Sequence, residues 1–152
     1  MIRLSHILLS CGLLAWVAGG CEGTPLTPSN VAGTYVLERV GDSPLPAVTV
    51  NTAYATFTVV ADTLRLLPDR TGTETQVLRV ELHGAATPPS VEPSRQPLGY
   101  RLRGNRIVVS YGCASGEVCQ LASMVGSATG YLTSDGLVME MGPAPFVFRR
   151  VE

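Results

Sequence analysis

The chain has 152 residues, with eleven basic and twelve acidic side chains and a formal charge of −1. Every basic residue is an arginine, which excludes a Schiff-base lysine, a Ser-x-x-Lys nucleophile and a P-loop lysine. The near-neutral balance offers no electrostatic case for nucleic-acid binding.

Residues 1–20 have the three parts of an export signal: Arg3 as the positive start, a nearly continuous apolar run over 7–18, and the small residues Ala18-Gly19-Gly20. The run is short for a membrane span, which needs roughly 20 residues. Cys21 follows the small residues directly. That order is similar to a bacterial lipobox, in which the cysteine thiol receives a diacylglycerol and becomes the new N-terminus. Ala18 stands where such boxes usually carry Leu, Val or Ile. Leu8-Leu9-Ser10-Cys11 fits the pattern locally, but cleavage there would strand the apolar run 13–18 on the mature protein. The expectation is therefore a signal over 1–20, a lipidated Cys21, and ordinary secretion as the alternative.

Cleavage removes Cys11 and lipidation consumes Cys21, leaving Cys113 and Cys119. In an oxidising exported compartment an even pair reads as a disulfide. A redox-active pair and a metal site are the other readings, although the spacing is not Cys-x-x-Cys and no histidine is near. No metal and no cofactor is expected.

Residues 21–32 read as the lipid-bearing cysteine followed by a flexible, proline-bearing tether, and 33–152 as one domain. From Gly33 the chain becomes short strand-type runs divided by turn residues. Expected strands cover 33–40, 53–60, 63–67, 73–83, 98–103, 106–111, 121–132, 137–141 and 146–151. Within 53–60 the odd positions are apolar, and within 73–83 Leu78, Val80 and Leu82 oppose Arg79 and Glu81. Ala61-Asp62 is read as a turn, and Gly126 and Gly130 as a bulge or bend. Gly104-Asn105 is a two-residue hairpin turn. The stretch from Gly84 to Pro97 holds four prolines and reads as a long loop, either mobile or functional. No helical period appears after the signal. The fold expected is all-β: a single antiparallel up-and-down β-barrel of about eight or nine strands, with a β-sandwich as the alternative.

No catalytic constellation is recognisable. His83 is the one histidine beyond the signal, which rules out a multi-histidine zinc site, and a surface role is expected for it. Glu74, Glu81, Glu117 and Glu140 show no spacing that brings two together, although carboxylate pairs form only in three dimensions. Arg101, Arg103 and Arg106 cluster at one hairpin, either as a solvated face or as a contact for anionic headgroups. The inward set includes Tyr35, Phe57, Tyr100, Leu102, Val109, Met139 and Phe148. An eight-stranded barrel is wide enough to be filled by such side chains or to hold one small ligand, so a packed core and an apolar cavity both stand.

Gly33-Thr34-Tyr35-Val36-Leu37, Val40-Gly41, Pro44-Leu45-Pro46 and the terminal Phe146-Val147-Phe148-Arg149-Arg150 resemble the two ends of lipocalin-like, calycin-type barrels, especially those of small bacterial lipoproteins. Lipocalins cover a tryptophan of the first strand with an arginine from the end of the barrel. Here Tyr35 takes the tryptophan's place, and the resemblance implies an Arg150–Tyr35 stack closing the barrel. It implies no catalytic residue. The reading that follows is a lipid-anchored, non-enzymatic envelope protein, with the outer membrane favoured by Glu22 after the anchor. It would bind a small apolar ligand or an envelope partner. The alternative is an inhibitor or interaction module using the Gly84 to Pro97 loop.

Overall fold

The computed structural model describes residues 25–112 and 126–151. They form a four-residue helix, α1 (Pro28–Val31), and ten strands: β1 (Gly33–Val40), β2 (Ser43–Pro44), β3 (Ala47–Asn51), β4 (Ala55–Leu66), β5 (Thr71–Leu82), β6 (Ser90–Arg103), β7 (Arg106–Tyr111), β8 (Ser127–Leu132), β9 (Gly136–Glu140) and β10 (Pro145–Arg150). From β4 to β10 each strand pairs antiparallel with the next. β1 pairs with β10 on one side and β4 on the other, which closes an eight-stranded barrel and leaves β2 and β3 outside the ring. The expected antiparallel barrel is the fold. Closure removes the open edges that a meander of this length would otherwise expose.

Two irregularities decide what faces inward. Ala61-Asp62 is not a turn: β4 runs through it as one twelve-residue strand. The ladder to β5 slips between Val59 and Ala61, so Val60 is an extra residue. A bulge shifts the alternation by one position. Val59 faces inward before it, and Asp62, Leu64 and Leu66 face inward after it, all four buried. A second slip at Glu38 does the same in β1, turning Tyr35 and Leu37 inward before it and Val40 after it.

The proline-rich stretch is the other departure from the expected layout. Only its first part is a connection. β6 begins at Ser90 and pairs with β5 from Val80↔Ser90 to Thr71↔Gly99, with Pro93 and Pro97 inside the strand. The Pro97 carbonyl accepts from the Gly112 N–H on the side away from β5. In an extended strand a residue's N and O point to the same side, so the missing N–H groups of Pro97 and Pro93, four residues apart, point away from β5. The β5 ladder loses nothing, and proline is tolerated at such an edge.

Because β4, β5 and β6 are long, their paired ends continue beyond the ring with β3 as a four-stranded apron. The register puts Val50, Ala55, Phe57, Leu78, Val80 and Leu82 on the same face as the barrel interior.

The opposite end is shut. Thr27 caps α1 with a capping box, its side chain accepting from the Asn30 N–H while Asn30 accepts from the Thr27 N–H. Val31 is fully buried against the core. Residues 28–32 therefore pack as part of the domain and not as the flexible tether expected of them. Gly130 sits in an unbroken β7–β8–β9 register and marks no bulge. A side chain there would meet Met139 Sδ at 2.4 Å and the Val138 carbonyl at 2.6 Å, so the glycine makes room for Met139 inside the barrel.

Candidate functional site

Tyr35, Tyr100, Val109, Met139 and Phe148 are buried in one cluster with Leu64, Leu66, Ile107 and Leu137, and Leu102 packs against it half-buried. These side chains pack on one another. Burying a large apolar side chain contributes about 1.5–3 kcal/mol each. Phe57 is the exception. Being on β4 ahead of the bulge, it lies half-buried on the apron and outside this cluster, so it does not line the barrel interior as expected. Cys21, Cys113 and Cys119 lie outside the described residues.

At the closed end the Arg150 guanidinium carbon is 5.8 Å from the Tyr35 ring centre, within cation–π range. Arg150 also donates to the Asn30 and Ala32 carbonyls, and the Tyr35 hydroxyl donates to the Val31 carbonyl at 2.6 Å. Tyr100 reaches the same end, donating to the Leu67 carbonyl at 2.6 Å. The stack is thus also the clasp that holds α1 over the barrel.

Near the other end, where the apron begins, the interior turns polar. Among the described residues, Asp62 (1% exposed) and Glu74 (5%) are the two buried charged side chains. Asp62 stands opposite Gln76 and Glu74 opposite Leu64, so the two acids are diagonal neighbours on one face, about 7–8 Å apart at the backbone and within side-chain reach. Gln76 Nε2 donates to Asp62 Oδ2 at 3.1 Å. The Tyr111 hydroxyl lies 3.4 Å from Glu74 Oε1 and 3.3 Å from Met141 Sδ. Asp62 Oδ1 meets no N–H or O–H donor.

Burial holds the Asp62 carboxyl well above the usual carboxylate range, the negative charge of Glu74 raises it further, and the Gln76 hydrogen bond opposes. Glu74 is also raised by burial, against the opposing hydrogen bonds from Asp62 and Tyr111. Burial, then the charges of Glu74 and Asp62, push the Tyr111 phenol up. Two carboxylates this close in a low-dielectric site cannot both ionise cheaply. Both shifts favour a proton held between the two carboxyls.

The spacing of acids along the chain shows no sign of this pair. Half the signal was present: continuing the even-numbered inward register of Leu78, Val80 and Leu82 puts Glu74 and Gln76 inside. Asp62 was hidden by the bulge. Both carboxyls are almost fully buried, and the half-buried Gln76 stands between them and the apron. Among the described residues no three His, Cys, Asp or Glu side chains converge as a metal site would require.

The other candidates lie elsewhere. His83 is at the apron tip, 2.8 Å from Thr56 Oγ1 and 3.3 Å from the Ala53 carbonyl. Arg103 and Arg106 are paired across the β6–β7 hairpin, and Arg106 meets Glu140 at 3.4 Å in solvent, where such a bridge is worth about 0–1 kcal/mol. Two shallow, open depressions flank Tyr131 on the outside.

No protein-family model, curated protein or solved structure matches the chain significantly. Among the described residues no helix is long and apolar enough to cross a membrane.

Proposed function

We propose that this is a lipid-anchored, non-enzymatic binding protein of a bacterial envelope, built on a lipocalin-like barrel, that takes a small apolar ligand on the apron. The observation that carries the reading is the continuity of the inner face. Beyond the packed core it runs on as Phe57, Leu78 and Val80, half-buried, to Val50 (45% exposed) and Leu82 (53%) at the rim. An apolar surface that leads out of a barrel and is left open suits a ligand of the same character. The filled core below supports a seat on the apron over one deep in the barrel.

The test is titration of the chain from residue 21, with Cys21→Ser, using an uncharged fluorescent apolar probe. This chain keeps every described residue. Saturable binding that Phe57→Ser and Leu82→Ser weaken is expected. Absence of saturable binding removes the small-ligand reading. The partner-binding alternative then gains, because the outer face and tip of the same apron expose Val48 (57%), Val91 (54%) and Tyr54 (81%).

A further inference from the structure

We infer that the apron's ligand is a cationic amphiphile, an apolar chain ending in an ammonium group, with the apolar part on Phe57, Leu78, Val80 and Leu82 and the ammonium at Asp62 and Glu74. The inference rests on the apron being the ligand site and adds the ligand's charge.

Three observations converge. The apolar strip and the acid pair share one face of one hairpin: along β5 the inward positions run Glu74, Gln76, Leu78, Val80, Leu82. At about 3.4 Å per residue, the strip from Gln76 to Leu82 is about 20 Å long, enough for a medium alkyl chain. The charge on this face is one-sided. Among the described residues its titratable groups are Asp62, Glu74 and Tyr111, with Glu92 opposite Leu78 on β6 and the phenols of Tyr35 and Tyr100 towards the closed end, and no arginine or histidine occupies an inward position of β4, β5 or β6. The arginines of these strands take outward positions.

The third observation is the unpartnered oxygen. Asp62 is 99% buried by its 1% exposure, yet its Oδ1 meets no donor. Buried acceptors are nearly always satisfied, so a donor belongs there. In the free protein it is the proton shared with Glu74. An ammonium carries three N–H donors and takes the place of that proton, donating to both carboxylates while its charge offsets the second negative charge left when the proton goes to solvent. Gln76 is the half-buried side chain between the pair and the apolar strip, and its rotation away from Asp62 Oδ2 opens the way. A carboxylate head would instead add a third negative charge to the site, and a hydroxyl would bring no counter-charge.

The experiment compares decylamine, decanol and decanoate by calorimetry on the chain from residue 21 with Cys21→Ser, at neutral pH. The amine should bind about tenfold or more tighter than the alcohol, a difference of about 1.4 kcal/mol, and decanoate weakest. Glu74→Gln and Asp62→Asn should each remove most of the amine's advantage over decanol. If decanol or decanoate equals the amine, the apron remains a ligand site and the cationic inference is wrong. If none binds, both readings fall. If the amine is preferred but neither variant changes this, the head group sits elsewhere and the assignment to the pair is overturned. The ligand ranking on the unsubstituted pair decides the charge preference even if a variant misfolds.

Discussion

Asp62 reaches Glu74 only because Val60 is an extra residue in β4: the slip between Val59 and Ala61 moves Asp62 from the outer face to the inner one, diagonal to Glu74. The stability consequence follows from the sign of the shifts. Both carboxyls are raised above their unfolded values, so their contribution is fully present below the usual carboxylate range and is lost as pH rises through their folded values. Thermal stability should therefore decline from about pH 4 towards neutral. Asp62→Asn keeps an acceptor for Gln76 and puts a permanent N–H donor towards Glu74. It should flatten the profile and stabilise the protein at pH 7 by about 1–2 kcal/mol. Melting curves between pH 4 and 8 decide this. A wild-type profile that rises to neutral and matches that of the variant would remove the shared proton. Asp69, lowered by its Thr71 hydrogen bonds, acts in the opposite direction but is exposed.

The clasp over the closed end gives a second expectation. The hydroxyl that Tyr35→Phe removes is the donor to the Val31 carbonyl. Leaving that buried acceptor unpaired should cost about 1–3 kcal/mol. Arg150→Ala removes the stack and the donors to the Asn30 and Ala32 carbonyls. It should release α1 while the barrel ladder persists. Limited proteolysis reads this directly, with cleavage before Gly33 accelerated in Arg150→Ala and a stable product starting near Gly33. Equal cleavage rates in variant and wild type would mean that Arg150 does not hold the lid.

How far the fold was legible depended on local regularity. β7 and the Gly104-Asn105 hairpin alternate cleanly, β1 carries strand-forming residues on both sides of its slip at Glu38, and the structure has all three where the residues put them. The continuous β4 was not legible, because Ala61-Asp62 has turn chemistry and a bulge obeys the tertiary ladder instead of the local sequence. Nor was the start of β6, since proline excludes a strand only where its N–H is needed, and that depends on which edge is open. β3 escaped notice because five residues between turns carry little signal until β4 is present to pair with them. At the site, the apolar interior was visible as alternation, whereas the acid pair required the bulge.

Gly130 provides a packing test. Gly130→Ala puts a methyl against Met139 Sδ and the Val138 carbonyl. Overpacking of this kind costs about 1–3 kcal/mol, measurable as a lower denaturant midpoint. Shortening the sulfur side chain in Gly130→Ala/Met139→Ala should not restore stability, because the carbonyl belongs to the backbone and the shortened side chain opens a cavity of its own. Full rescue by the double variant would show that the side chain alone makes glycine necessary.

The lid also constrains how an anchored protein would stand on its membrane. α1 begins at Pro28 and closes one end of the barrel, so the stretch from Cys21 to Pro28 reaches at most about 25 Å at 3.3–3.6 Å per residue. Lipid on Cys21 therefore keeps the closed end, with the exposed Asn105 turn, near the headgroups, and the apron extends from the far end. A photo-crosslinker at Asn105 should label lipid in vesicles, whereas one at Tyr54 on the apron tip should not. Cys21→Ser should abolish labelling at Asn105 and release the protein from the membrane. Lipid labelling at Tyr54 would reverse the orientation and bring the apron's exposed Val48 and Val91 towards the bilayer. An intact Cys21 thiol in the exported protein would reduce the anchor to simple secretion, leaving the apron and its acid pair to act in solution.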